Sequence, residues 1–204
     1  MRFNKKKFLY LISPSKIDKF FYRNLAMILK LRKVSFFQLR LKKESFKNKI
    51  KIGIKIKKIC RLYNVKFLIN DDVYLAKKLN ADGCHLGQKD MDILEARKVI
   101  GNKIIGITCH NSLKLAKIGL KKNVDYLAFG AFYPSETKKT KYKATINLLK
   151  KVRKITKSPI VAIGGINSEN YKKLLLNKAN FLAISGYIWN NKKLKPINAI
   201  KKLI

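Results

Sequence analysis

The chain has 204 residues, 47% of them hydrophobic, which suits one domain with a sizeable core and excludes a disordered chain. Its formal net charge is +37, from 48 Lys and Arg against 11 Asp and Glu. Such a charge attracts anions. The lysines, however, are scattered through every segment, and Ile, Asn, Phe and Tyr, all with AT-rich codons, are abundant. Genome composition therefore accounts for the charge, no RNA-recognition signature accompanies it, and no nucleic acid partner is expected.

In chain order, FLYLISP (8–14) reads as a first strand stopped by Pro14, with Ser15 able to cap the helix KIDKFFYRNLAMILKLRK. The apolar run at the N-terminus is too short for a signal peptide, and no run approaches the ~18 apolar residues of a membrane span. A cytoplasmic protein without a membrane partner is expected. SFFQLRLK (35–42) is a second strand whose alternation puts Gln38, Arg40 and Lys42 on one face and Phe37, Leu39 and Leu41 on the other. An Arg and a Lys leaving one strand end together suit a diphosphate. Residues 43–62 are ambiguous: IKIGIKIK alternates like a strand, but Phe46, Ile50, Ile54 and Cys60 keep near-helical spacing. A parallel neighbour needs a crossover there, so a helix is expected.

KFLIN, VYLAKKLN and GCHLG, between Lys66 and Gly87, form a βαβ unit with parallel strands. Asn70 and Asp71 leave the end of its first strand and Asp90 follows the second. Two carboxylates can therefore converge at one sheet edge, where a hard cation or a phosphate-bound metal is the natural occupant. Asp72 reads as a helix N-cap. Helix 92–101 closes at Gly101. Strand 103–110 ends near Thr108, and Asn111 or Ser112 caps the next helix. Strand 125–132 leads into the polar loop YPSETKKTKYKAT and the helix INLLKKVRKIT. PIVAIGGI (159–166) is followed by the helix NSENYKKLLLNK, NFLAISGYI (180–188) reads as the eighth strand, and PINAIKKLI closes as a helix with Pro196 in its first turn.

Eight apolar strands alternating with about eight helices predict a single-domain (β/α)8 TIM barrel spanning 1–204. The Pro-Ser after the first strand, in place of a glycine-rich loop, disfavours an open dinucleotide-binding sheet. In a barrel the strand C-termini form the active face, and the candidate polar residues all lie at or just past strand ends. Gly164–Gly165 would let backbone approach a phosphate closely. Cys60, Cys84 and Cys109 are an odd set without metal-ligand spacing and read as buried thiols, with His85 and His110 structural or supporting the site.

The ordered set QLRLK, LINDD, ADGCHLGQKD, GITCHN, DYLAFGAFYPSETKK, AIGGI and AISGYI resembles the thiamine-phosphate synthase family almost end to end. The resemblance implies coupling of a hydroxymethylpyrimidine diphosphate to a thiazole phosphate on a Mg2+-dependent barrel, with release of pyrophosphate. It implies that Gln38, Leu39, Arg40, Leu41, Lys42 and Asn70 hold the pyrimidine diphosphate, and that Asp71 and Asp90 bind Mg2+. Thr108 and Lys138 would meet the pyrophosphate. Ser135, Glu136, Thr137, Gly165, Ile184 and Ser185 would hold the thiazole phosphate. Arg40, Lys138 and Thr108 would be the catalytic set for a dissociative reaction, in which neutralising the departing charge matters more than acid–base chemistry. Thr108 and Ser135 exchange the family's usual Ser and Thr, and Asn147 replaces a common glycine. Both partners are small molecules, and a homo-oligomer is compatible with the sequence. A thiazole tautomerase relative is the nearest alternative, disfavoured by the carboxylate pair and the intact QLRLK face. A basic nucleic-acid-binding protein is a more distant one.

Overall fold

A computed structural model describes residues 7–134 and 141–203. Eight parallel strands pair in sequence order and close into a barrel: β1 (Leu9–Ile12), β2 (Val34–Leu39), β3 (Lys66–Asn70), β4 (Gly83–Leu86), β5 (Ile104–His110), β6 (Tyr126–Gly130), β7 (Ile160–Ile163) and β8 (Phe181–Ile184). The helices are α1 (Phe21–Lys30), α2 (Phe46–Leu62), α3 (Val73–Lys78), α4 (Ile93–Ile100), α5 (Leu113–Lys121), α6 (Ile146–Ile155), α7 (Tyr171–Leu176), α8 (Gly186–Trp189) and α9 (Pro196–Lys201). This is the (β/α)8 barrel that the sequence predicts.

The strands are apolar on both faces because both are covered. Tyr10, Phe36, Leu68, Ile104, Tyr126, Val161 and Phe181 fill the interior. Leu11, Phe37, Leu39, Ile69, Ile105 and Leu127 pack outward against the helices. The ambiguous 43–62 stretch is α2. Ser45 caps it by accepting from the Asn48 amide, and Gly53, Ile56 and Cys60 form its buried stripe. Asp72 and Ser112 cap α3 and α5 through the amides of Leu75 and Leu115.

Two local expectations fail. Ser15 caps nothing: α1 starts at Phe21, and Asp18 Oδ1 accepts from the Phe20 amide at 2.9 Å instead. The eighth strand stops at Ile184, because Gly186–Trp189 turns into a short helix and Trp189 Nε1 donates back to the Ile12 carbonyl.

The rim opposite the strand C-termini is held by a repeated device. Asp82 accepts from the Phe67 amide and Lys66, Asp125 from the Ile105 amide and Arg97, and Asn180 from the Ile160 amide and Arg153. Each sits one residue before an even-numbered strand and ties it to the odd-numbered strand before it. At that same rim the helices turn into strands through left-handed residues, among them Arg32, Asn64, Asn80 and Asn123. With this end fixed, the other is left for chemistry.

Candidate active site

Asp71 immediately follows β3 and takes a left-handed backbone, φ 64°. That conformation costs a non-glycine residue about 1–2 kcal/mol. Its amide donates to the His85 carbonyl of β4 at 2.8 Å, which draws Asp71 toward the neighbouring strand end. Asp90 is set by the turn after β4, where its Oδ2 accepts from the Gly87 amide at 2.6 Å. The two carboxylates adjoin within hydrogen-bonding reach. Lys42 Nζ, from just past β2, lies 3.0 Å from Asp71 Oδ2.

These contacts split the pair electrostatically. Burial acts to raise Asp71, but the hydrogen bonds from Lys42 and Asp90 and the Lys42 charge outweigh it and hold its pKa low. Asp90 is pushed up, first by burial and then by the adjacent Asp71 carboxylate, against the pull of the Gly87 amide. Like charges this close favour a shared proton or a cation between them. A hard divalent ion fits the donor set: two carboxylates beside water and ligand phosphates are what Mg2+ takes. Among the described residues no group of three His, Cys, Asp or Glu side chains offers an all-protein cage. A cleft of about 420 Å3, lined in part by Lys42, Lys49, Asn70, Asp71, Tyr74 and Met91, opens beside the pair.

Gln38 points into the barrel and Arg40 follows at the strand end. The Arg40 amide donates to Ser13 Oγ at 2.9 Å, while Ser185 Oγ donates to the Ser13 carbonyl at 3.2 Å. Ser13 thereby joins the mouths of β1, β2 and β8. The side chains of Leu39, Leu41 and Ile184 lie in the helix-facing core, so any contact they make at the mouth is through backbone. Asn70 ends β3, in register with His85 of β4. Gly165 has φ 61°, and a Cβ there would sit 2.2 Å from the Pro134 carbonyl oxygen. The close approach that Gly164–Gly165 permits here is by the chain after β6, whose Phe132 and Tyr133 amides donate to the Ile163 and Gly164 carbonyls. Ser135, Glu136, Thr137 and Lys138 lie outside the described residues. Asn147 sits in the first turn of α6.

Beneath the mouth runs a polar chain. Gln38 Nε2 donates to Tyr10 Oη at 2.7 Å, and the Tyr10 and Tyr126 hydroxyls are 2.8 Å apart. Tyr126 Oη lies 2.8 Å from His85 Nδ1, and His85 Nε2 lies 2.8 Å from Thr108 Oγ1. Burial pushes the His85 pKa down to about 4, against the pull of Asp71, so the ring is neutral at neutral pH. Burial also raises both tyrosines above the usual phenol range. The Gln88 side-chain amide donates to the Thr108 carbonyl.

By strand order, Lys42, Asp71, Asp90 and Thr108 occupy the β2–β5 arc, and Gly165 and Ser185 the β7–β8 arc across the mouth. Cations and carboxylates from separate strands, gathered at the C-terminal rim of a closed eight-stranded barrel, define an enzyme of the (β/α)8 class. Residues 9–188 match the family model for thiamine monophosphate synthase. The chain is 68% identical to the thiamine-phosphate synthase of Pelagibacter ubique (strain HTCC1062), over 97% of this chain and 96% of that protein. It is 37% identical to the thiamine-phosphate synthase of Erythrobacter litoralis (strain HTCC2594), over 96% and 94% respectively. A solved thiamine phosphate pyrophosphorylase from Pyrococcus furiosus superposes with a TM-score of 0.85 at 28% identity, covering 98% of this chain and 94% of that one. The chain belongs to the thiamine monophosphate synthase family.

Proposed function

We propose that this barrel joins a hydroxymethylpyrimidine diphosphate to a thiazole phosphate with release of pyrophosphate, as a Mg2+-dependent thiamine-phosphate synthase of the cytoplasm. The observation that carries the reading is the adjoining Asp71–Asp90 pair flanked by Lys42, facing a second set of rim residues across the barrel mouth. Two arcs suit two phosphorylated substrates, with the reacting carbon and nitrogen meeting over the centre.

On the β2–β5 arc, Gln38 and Asn70 orient the pyrimidine, while Arg40 and Lys42 bind its diphosphate oxygens. Mg2+, held by Asp71 and Asp90, would neutralise charge on the departing pyrophosphate. Thr108 donates a hydrogen bond to the same group. Lys138 supplies a further positive charge as the carbon–oxygen bond breaks and negative charge builds on the leaving group. On the far arc, Gly165 and the backbone of Ile184 and Ser185 hold the thiazole phosphate so that its ring nitrogen faces the pyrimidine carbon, and Ser135, Glu136 and Thr137 are assigned to the same phosphate. No protein nucleophile is required. His85, neutral and enclosed, serves the site through Thr108 rather than by taking a proton from substrate.

The test is incubation of the purified protein with both substrates. Thiamine phosphate and equimolar pyrophosphate should form with Mg2+ and cease with EDTA. Isomerisation of the thiazole without coupling would instead identify a tautomerase.

A further inference from the structure

The buried chain from Gln38 to Thr108 is directional. Each tyrosine hydroxyl carries one hydrogen, and the neutral imidazole carries one N–H shared between two possible positions. Gln38 Nε2 can only donate, so Tyr10 receives and must pass its own hydrogen to Tyr126. Tyr126 then donates to His85 Nδ1, which places the imidazole hydrogen on Nε2, facing Thr108. Thr108 Oγ1 receives it, and the Thr108 hydrogen is left over for the mouth. Rotating the Gln38 amide by half a turn reverses every link: Thr108 then donates inward to Nε2 and offers only lone pairs outward. A chain of mixed polarity would set two hydrogens or two lone pairs face to face inside the barrel, leaving a buried polar group unpaired. Gln38 Oε1 accepts no hydrogen bond among the described residues, and Gln38 as a whole is only 2% exposed, so a ligand N–H reaching this oxygen would enter the barrel mouth to do so.

We propose that Tyr10, Tyr126 and His85 are positioning residues forming a polarity relay, through which a ligand N–H on Gln38 Oε1 fixes Thr108 as a hydrogen-bond donor to an anionic ligand oxygen. The inference rests on the proposed function, in which Gln38 meets the aminopyrimidine and Thr108 the leaving pyrophosphate. It adds a selection rule to that site. A substrate with a donor at one end and an anion at the other stabilises one polarity of the whole chain. A pyrimidine lacking the N–H leaves Thr108 free to turn its hydrogen inward.

The direct readout is the tautomer of His85 with the pyrimidine diphosphate bound and no thiazole phosphate present, by nitrogen-15 NMR with His110→Gln used to assign the two histidines. The relay requires the Nε2–H form in wild type and a mixture in Tyr126→Phe. The Nδ1–H form in wild type, or an unchanged tautomer in Tyr126→Phe, overturns it. In kinetics, Tyr126→Phe should lower kcat about 10-fold or more while the KM for the pyrimidine diphosphate stays within about threefold. Thr108→Val should then cost less in the Tyr126→Phe background than in wild type, because the Thr108 hydrogen is no longer fixed outward there. Additive losses overturn the coupling, and Tyr10→Phe, which also removes only one oxygen, repeats the test from the other side. The tautomer measurement needs no turnover. A protein with the Nε2–H form that makes no thiamine phosphate would sink the proposed function and leave the relay's polarity standing.

Discussion

Gly106→Ala tests whether the interior polar chain is held by packing. Gly106 lies in β5 beside Tyr126 of β6, and a Cβ there would fall 1.9 Å from Tyr126 Cζ and 2.3 Å from both Cε atoms. Ordinary carbon contact is about 3.5–4.0 Å, so the ring must retreat by roughly 1.5 Å. It cannot do so freely. Its hydroxyl is held at 2.8 Å by both Tyr10 and His85, and its ring stacks on His85 at 5.6 Å and 14°. Overpacking of this kind costs about 1–3 kcal/mol, and two lost buried hydrogen bonds add about 1 kcal/mol each. The total of about 3–5 kcal/mol lowers Tm by ~10 °C in a chain of this length. Thermal melts followed by circular dichroism measure the stability. Coupling rates taken well below the transition should show a kcat loss similar to that of Tyr126→Phe, since both release His85. A Gly106→Ala protein melting within about 2 °C of wild type, with unchanged kcat, would refute the packing argument.

Other expectations follow from the same contacts. Asp90→Asn removes one of two adjoining carboxylates, so it should leave Tm unchanged or higher while pyrophosphate release falls at least about 100-fold. Asp125→Ala strips the Ile105 amide and Arg97 of a partner at the rim opposite the site. It should cost about 1–3 kcal/mol in urea unfolding and leave kcat at 25 °C near wild type. Burial raises the Cys60 thiol well above its ordinary 9.0 and pushes Cys109 up to about 12. A raised folded-state pKa contributes stability that is complete below the unfolded value and lost as pH climbs past it. Unfolding free energy should therefore hold up to about pH 9 and then decline by about 1.4 kcal/mol per pH unit for each thiol. The Cys60→Ala/Cys109→Ala variant should show a correspondingly shallower decline.

The barrel was legible because its strands are continuous apolar runs at regular spacing and some of its helices carry readable caps, such as Asp72 and Ser112. The carboxylates of Asp71 and Asp90 could be placed at one edge because a βαβ unit leaves no other arrangement. The interior chain was not legible. Tyr10 and Tyr126 sit in the runs FLYLIS and DYLAF, where a tyrosine counts as one more apolar residue. The available signal was alternation: Tyr10 with Ile12, and Tyr126 with Ala128, share the inward face, opposite a His and a Gln that also point inward. Ser13 was hidden by its place beside Pro14, where it read as the end of a strand rather than the joint between three strand mouths. In the sequence, Gly164–Gly165 points only to close backbone approach by a phosphate. The structure adds a different demand, that the chain after β6 pass directly over it. The sequence extends the eighth strand too far because YIW is as apolar as a strand, and the return contact of Trp189 to Ile12 decides against it.

Binding of inorganic pyrophosphate, measured by calorimetry against Mg2+ concentration, probes the carboxylate pair most directly. Wild type should bind pyrophosphate tightly only with Mg2+, and Asp71→Asn and Asp90→Asn should each bind with little response to the ion. Equal Mg2+ dependence in all three proteins would contradict the placing of the metal between β3 and β4.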